Sequence, residues 1–382
     1  LKKNKVSINN LKNSFLIKLE TKCTNDKFNK TFYVYNASSF SLNDGCDLFL
    51  IKEKFKEKIK LSENMSIEKD SYQLLFSDLD KFHIYYKLNQ NNFGEYILDK
   101  SIHVSKNFYI PKDLKLIIKP GVQIIFKKNV SIISEGQTYF QGTIKNPIIV
   151  KSEKELENLG SIILKNNFFQ INNVVFKNLS NPNFITHILY GGINVIDSEL
   201  EFKNSKIINS NSEDGINIIN SNSVLNNIQL INIASDGIDI DFGKFTFENI
   251  KCFQVNNDCL DISGSIVNGK DFYAENISDK GLSIGEASVA NIKNIFLKNN
   301  KLGIAVKDGS TVNIENFNSD NNNYEIAVFN KKKEYKESTL NINQVKTIED
   351  KKILVGKSNN LIINDSFYKI KKKNALINEI FY

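Results

Sequence analysis

Carboxylates recur at a fixed interval through the middle of this chain. Asp214, Asp236 and Asp258 stand 22 residues apart, and Lys280 continues the series. A second column, three positions on, holds Asn217, Asp239, Asp261 and Ser283. A third holds Asp241, Ser263, Gly285 and Lys307, with Glu286 and Asp308 beside it. Close carboxylates share protons, which separates their pKa values and assigns acid and base roles. If the columns are stacked strands, carboxylates are ~5 Å apart across one rung and ~9–10 Å across two. Those separations span the retaining and inverting geometries of glycoside hydrolysis. Asp258 and Asp261 are the expected acid and base, Asp236 and Asp239 their partners, and Lys280 the group that orients or neutralises an anion. Asp241, Ser263, Ser265, Ser283, Glu286, Lys307 and Asp308 are expected to contact substrate.

The elements that must carry these residues follow from the same period. DGINI at Asp214, DGIDI at Asp236, DCLDI at Asp258, KGLSI at Lys280, LGIAV at Leu302 and YEIAV at Tyr324 each begin 22 residues after the last. Ile216, Ile238, Leu260, Leu282, Ile304 and Ile326 form one apolar column; Ile218, Ile240, Ile262, Ile284, Val306 and Val328 form a second, two residues on. A spacing of two within a unit is a strand with both side chains pointing inward. Recurrence between units stacks the strands in register, as in repeat architectures. The chain reads as all-β, a coil of parallel strands with one turn per 22 residues. The residues between the apolar columns then point outward. Asn227, Asn249 and Asp271, and Asn294 and Asn316, repeat at the same interval and suit the bends, where Asn tolerates left-handed backbone. A leucine-rich horseshoe needs a Leu frame that is absent.

The coil is expected from about Tyr96 to Ile363, within a β-helical region 96–366. Residues 1–95 lack the period; they alternate apolar and polar at Phe32–Tyr35 and His83–Tyr86 and carry a charged run at Lys52–Lys60 that reads as helical. They form a small mixed segment, or the remnant of a longer domain. Residues 367–382 read as a cap or tail, since an open terminal rung invites edge pairing.

Two competing readings of the Asp residues are structural. Asp before Gly is ordinary turn chemistry, which accounts for Asp214 and Asp236. A solvated face accounts less well for Asp239, Asp241 and Asp261, because mid-strand Asp opposes β-propensity and stacked like charges repel. A bound cation, a shared proton, or Lys280 and Lys307 would offset that repulsion. His83, His103 and His187 lie outside this surface and read as incidental.

Composition narrows the chemistry. The 382 residues carry a net charge of +7, and all 50 basic residues are Lys. Guanidinium clamps are thereby excluded. Lysines are scattered, apart from Lys331–Lys333 and Lys371–Lys373, so no basic stripe points to nucleic acid. Cys23, Cys46, Cys252 and Cys259 show no metal-ligand spacing and no disulfide framework, and read as buried small residues. No apolar run spans a bilayer. The chain begins at Leu1 and its first thirty residues lack a signal-peptide core, which leaves secretion open.

Two resemblances bear on these motifs. KPGVQIIF, VSIISEG and QGTIKNPIIV, from Lys119 to Val150, resemble the opening rungs of right-handed parallel β-helix proteins. The ladder over most of 96–363 looks like the pectate-lyase-like superfamily, which implies a right-handed solenoid acting on polysaccharide. SDGIDI and NNDCLDI are similar to the Asp-bearing turns of polygalacturonase-type hydrolases, with Asp236 and Asp258 matching. SDKGLSIG stands where those enzymes carry a Gly-His-Gly turn, with Lys280 in place of the histidine. The run ASDGIDIDF, NNDCLDISGS, SDKGLSIGE, LGIAVKDGS and FNKKKEYKE looks like uncharacterised bacterial β-helix proteins, some of which follow a spore-coat-H-like kinase domain. By analogy of fold alone, such a protein is expected outside the cell or at its surface, as a monomer.

Three functions remain open from sequence. One is a hydrolase of an acidic or neutral polysaccharide, or a lyase using Lys280 or Lys307 as base with Ca²⁺ on Asp239, Asp241 and Asp261. Another is a surface module that holds sugar or Ca²⁺ without turnover. The last is a spacer, which clustering of the polar residues between Asp214 and Asp308 disfavours.

Overall fold

The computed structural model of the chain describes residues 88–368, except 128, 155, 156, 158, 183–188, 347 and 349–351, together with the strand backbone at 3–7, 17–23, 30–34, 39–43, 46–52 and 55–58. By contact the chain divides into two units, 1–78 with 184–188, and 79–183 with 189–382.

In the first unit every described residue lies in a strand. Ile17–Cys23 pairs antiparallel with Lys30–Val34 on one side and Cys46–Lys52 on the other, and Lys3–Ser7 pairs with Ser39–Asn43. The charged run expected as a helix is a strand over Phe55–Lys58, which returns antiparallel along Cys46–Lys52. The short return pairing outweighs the helical propensity of Lys and Glu. His83–Tyr86, His187 and residues 369–382 lie outside the described residues, and His103 sits exposed on the strand Ile102–Val104.

The second unit is a parallel β-solenoid with rungs of about 22 residues, roughly 12 turns in all. One sheet stacks eleven short strands in parallel register from Phe108–Ile110 to Ile353–Val355. The two apolar columns face inward throughout the regular rungs: Ile216, Ile238, Leu260, Leu282, Ile304 and Ile326 are fully buried, as are Ile218, Ile240, Ile262 and Ile284. Burying one such side chain contributes about 1.5–3 kcal/mol.

The other sheet carries the long strands Glu199–Ser210, Asn222–Ile233, Lys244–Val255 and Ile266–Ile277, each bent at its middle. At the bend, Asn204, Asn227, Asn249 and Asp271 have φ of 51°, 55°, 57° and 58°. Asn227 donates to Asn204 and Asn249 to Asn227, both at 3.0 Å, and Asn316 donates to Asn294 at 2.8 Å. The Asn ladder expected from the period thus sits at the corner: Asn204, Asn227, Asn249 and Asp271 take left-handed backbone there, whereas Asn294 and Asn316 keep the hydrogen bond without a positive φ. A further corner carries a second ladder, with Asn232 donating to Asn209 at 2.9 Å and Asn321 to Asn299 at 2.7 Å.

The corner leaving the short strands is closed by serines. Backbone N–H groups of Ser198, Gly243, Ser265 and Gly309 donate to the hydroxyls of Ser221, Ser265, Ser288 and Ser338, each at 3.0 Å. Cys252, near the end of one long strand, and Cys259, at the start of the next short strand, are both fully buried. They are not independent small residues: a disulfide joins them across the corner 256–258, with Cα atoms 5.9 Å apart.

Candidate functional site

The outward face of the short-strand sheet brings the expected Asp residues together on consecutive rungs. Parallel register aligns Asn217 with Asp239, Asp239 with Asp261, and Asp261 with Ser283. It likewise aligns Asp241 with Ser263 and Ser263 with Gly285. Alternation along the strand puts all of these on the side opposite the core, about 4.8 Å from rung to rung.

The corner where each short strand begins is wired more tightly. Asp236 Oδ1 accepts the Asp258 backbone N–H at 2.7 Å, and Asp258 Oδ1 accepts that of Lys280 at 3.0 Å. Lys280 Nζ then bridges both oxygens of Asp258, at 3.1 and 3.2 Å, and also donates to Asp279. Asp279 pairs in turn with Lys301 at 3.0 Å. Burial pulls the Lys280 ammonium down, but Asp258 and Asp279 outweigh it and hold Lys280 charged above the ordinary lysine range. Burial raises Asp258, and Lys280 opposes the rise. Asp279 is lowered, because Lys280 and Lys301 overcome its burial.

Asp239 on the strand lies among other carboxylates instead. Burial first, then Asp241, Asp214, Asp261 and Asp236, push Asp239 up to about 9. Burial and Asp236 lift Asp214 to about 7, and burial lifts Asp236 to about 6 against the Asp258 N–H that it accepts. Burial and Asp261 raise Asp241. Asp261 differs in its contacts: its Oδ1 accepts the Ile262 N–H at 3.0 Å and lies 3.6 Å from Lys307 Nζ.

Several expected substrate contacts are engaged within the fold. The Ser265 hydroxyl accepts Gly243 N–H and donates to the Ser263 carbonyl at 2.9 Å, so it serves the turn. Asp308 is buried and caps the loop 330–338, its Oδ1 accepting the N–H groups of Lys331 and Lys332 at 2.6 and 2.7 Å. Glu286 is held by Lys332, which reaches back over two rungs. Lys301 and Lys332 also bring cations to acidic groups here, pairing with Asp279 and Glu286. Among the described residues no group of three or more His, Cys, Asp or Glu side chains is placed to hold a metal ion. No helix of the described residues is long and apolar enough to cross a membrane.

Fold and face together define a parallel β-solenoid with an acidic strand surface. No protein-family model matches the sequence, and no curated protein matches it. Among solved structures it is similar to an alginate lyase from Paenibacillus sp. str. FPU-7, at 13% identity over 69% of this chain and 99% of that one, with a TM-score of 0.32. The periplasmic alginate epimerase AlgG aligns at 11% identity over 75% of this chain and 81% of that one, with a TM-score of 0.35. The catalytic domain of a GH87 alpha-1,3-glucanase in complex with nigerose aligns at 11% identity over 97% and 88%, with a TM-score of 0.29.

Proposed function

We propose that this chain is a carbohydrate-active β-solenoid that binds a polysaccharide along the Asp face and hydrolyses it there. One observation carries the reading: Asp239 and Asp261 are register partners one rung apart, yet have unlike surroundings, Asp239 lying among carboxylates and Asp261 beside an ammonium and a backbone N–H. Asp239 retains its proton at neutral pH, because burial and neighbouring carboxylates push it up to about 9. Asp261 has the Lys307 ammonium and a backbone N–H at its carboxylate. Neighbouring carboxyl groups in unlike surroundings divide the acid and nucleophile roles between them. Adjacent strands of a sheet lie about 4.8 Å apart, a spacing close to that of the retaining geometry.

In that mechanism Asp239 gives its proton to the leaving glycosidic oxygen while the Asp261 carboxylate forms a bond to the anomeric carbon. A water then attacks that carbon, gives its proton to the Asp239 carboxylate, and frees Asp261. The leading roles thus move from Asp258 to Asp239, since Asp258 is bound on both oxygens by Lys280. Elimination with Lys280 as base is disfavoured, because its carboxylate partners keep the ammonium protonated.

A second reading, a module that binds sugar without turnover, is favoured by the backbone hydrogen bonds that employ Asp236 and Asp258 in the corner itself. Incubation with a polysaccharide panel, following reducing ends and the anomeric form of the product, separates the two. Hydrolysis should give a retained anomer and fall by about 10²–10⁴-fold in Asp239→Asn and in Asp261→Asn. Binding without product, at an affinity that those substitutions leave unchanged, overturns the enzyme reading.

A further inference from the structure

The turn that leaves the acidic strand Asp236–Asp241 carries an aromatic residue where the backbone disfavours one. Phe242 has φ of 56°, and among the described residues it is the only aromatic residue in the left-handed region. One residue past the aligned strand ends, neighbouring rungs place Asp197, Asn220 and Gly264 at φ of 49°, 47° and 60°. Those types tolerate the region, whereas a bulky side chain is an outlier there. Glu286, next in the series at 57°, is held by Lys332. Phe242 gains little burial in return, since 59% of its surface stays exposed.

Both neighbouring rungs hold this residue in place. The Asn220 N–H donates to the Asp241 carbonyl at 2.8 Å, and the Phe242 N–H to the Ser263 carbonyl at 3.0 Å. The edge of the ring lies over Gly264, where an added methyl would stand 2.5 Å from Cδ1 and 2.7 Å from Cε1. Gly264 therefore makes room for the ring besides taking a positive φ itself. Ile266 donates its N–H to the Gly243 carbonyl at 2.9 Å, and it and its register partner Val289 are 53% and 42% exposed. The three side chains form a narrow apolar strip along the edge of the acidic face, with Phe242 next to Asp241. Backbone strain persists where the surroundings over-determine it, and it gathers at ligand sites.

We propose that Phe242 is a stacking platform for one pyranose ring of the polysaccharide, at a subsite beside the one over Asp239 and Asp261. The proposal rests on the polysaccharide reading above and adds a binding residue to it. A pyranose offers C–H groups on its faces and hydroxyls around its rim. The C–H groups suit the negative face of an aromatic ring, and the hydroxyls are left to polar neighbours, here Asp241. A protein partner fits less well, because a stable interface takes about 20–30 residues a side and this strip offers three apolar side chains. Phe242 lies three residues beyond Asp239, about 10 Å along the strand. The stacked ring is therefore a neighbour of the sugar that is cleaved, and not that sugar itself.

The test is affinity electrophoresis of the full chain against a β-glucan, a mannan, a galactan and a polyuronate, with melting temperatures measured alongside. Phe242→Asn removes the ring and places a residue that suits the turn. It should weaken binding to the tightest polysaccharide by about tenfold while leaving the melting temperature unchanged or higher. Phe242→Tyr keeps the ring and should bind as the native chain does. Saturation transfer from aromatic protein protons to the C–H protons of a bound oligomer should fall in Phe242→Asn and persist in Phe242→Tyr. Undiminished binding by Phe242→Asn overturns the proposal and leaves the polysaccharide reading standing. Lost binding together with a lower melting temperature marks the ring as a structural element, and overturns it as well. If the native chain binds none of the four polysaccharides, the polysaccharide reading itself fails, and the proposal with it.

Discussion

Gly285 leaves the space through which Lys307 reaches Asp261. A methyl group on Gly285 would stand 2.8 Å from Lys307 Cε and 3.0 Å from Cγ, so the lysine stem lies directly over the glycine. From there Nζ reaches 3.6 Å from Asp261 Oδ1, two rungs back. Gly285 has ordinary backbone geometry at this position, so only space is at stake. Gly285→Ala should displace the flexible lysine at a cost below about 1 kcal/mol in stability. It should nonetheless weaken the Asp261-dependent activity or binding by more than tenfold, approaching the effect of Lys307→Ala. Denaturant midpoints measured alongside the polysaccharide assays decide it: an active Gly285→Ala variant removes Lys307 from the site.

The Asp258–Lys280 pair is a structural clamp on the corner. Asp258 is 2% exposed and the Lys280 side chain 13%. Removing one member of a buried pair strands the other charge, at a cost of about 3–5 kcal/mol. Lys280→Met should therefore destabilise strongly, and Asp258→Asn/Lys280→Met should recover part of the loss. Urea unfolding of the single and double variants supplies the cycle, and additive losses would show that the two residues do not act as a pair.

The Asn ladder should be sensitive to backbone geometry as much as to hydrogen bonds. Asn249 has φ of 57° and donates to Asn227 at 3.0 Å. Asn249→Ala loses the hydrogen bond and places a Cβ residue in the left-handed region, for a combined cost of about 2–3 kcal/mol. Asn249→Gly keeps the backbone easy and should cost less. Thermal unfolding of the two variants checks the order, and an alanine variant no worse than the glycine one would contradict it.

The 22-residue period made the solenoid legible because each rung must bury the same two columns against its neighbours. The same logic put Asp239 and Asp261 on one outward column, since register fixes which side each residue faces. The Asn ladder at the bend repeats and was legible too, but corner contacts that do not keep the period were not. The serines that close the turns fall at intervals of 22 or 23 residues and then 29 between Gly309 and Ser338, so their period breaks. Cys252 and Cys259 become neighbours only when the long strand ends at Val255 and the next short strand begins at Leu260. Lys332 lies 46 residues from Glu286 in sequence, on a loop that interrupts the repeat and folds back across two rungs. Periodicity reports what each rung repeats, and the interruptions hold the contacts that occur once.

The Cys252–Cys259 disulfide closes the corner that carries Asp258, and both cysteines are fully buried. Reductant should not reach it in the folded chain. In denaturant it should, and the reduced chain should then be less stable by about 2 kcal/mol, the loop-closure contribution expected for so short a loop. Thiol titration with and without urea tests access, and Cys252→Ala/Cys259→Ala tests the stability change. Rapid labelling without denaturant would place the disulfide at the surface instead.

Stability should fall as pH rises through the weakly acidic to neutral range, with the sign set by the acidic face. Asp239, Asp214 and Asp236 are pushed up to about 9, 7 and 6 by burial and by their neighbours. Their unfolded values lie near the usual carboxylate figure of about 4. Below that value both states hold the protons and these groups cost nothing. Above it the unfolded chain releases protons that the folded chain retains, so each group favours unfolding by at most about 1.4 kcal/mol per pH unit. The loss stops for each group at its folded value: first Asp236, then Asp214, and last Asp239. Asp279 is lowered in the fold and contributes in the opposite direction, its stabilisation disappearing as pH falls through the acid range. Asp239→Asn removes the most shifted group, and should both raise stability at neutral pH and flatten its decline between about pH 4 and 9. Denaturant unfolding at a series of pH values measures that slope directly. A variant whose stability keeps the same pH dependence would mean that Asp239 ionises freely in the fold, and would remove it as the acid of the proposed reaction.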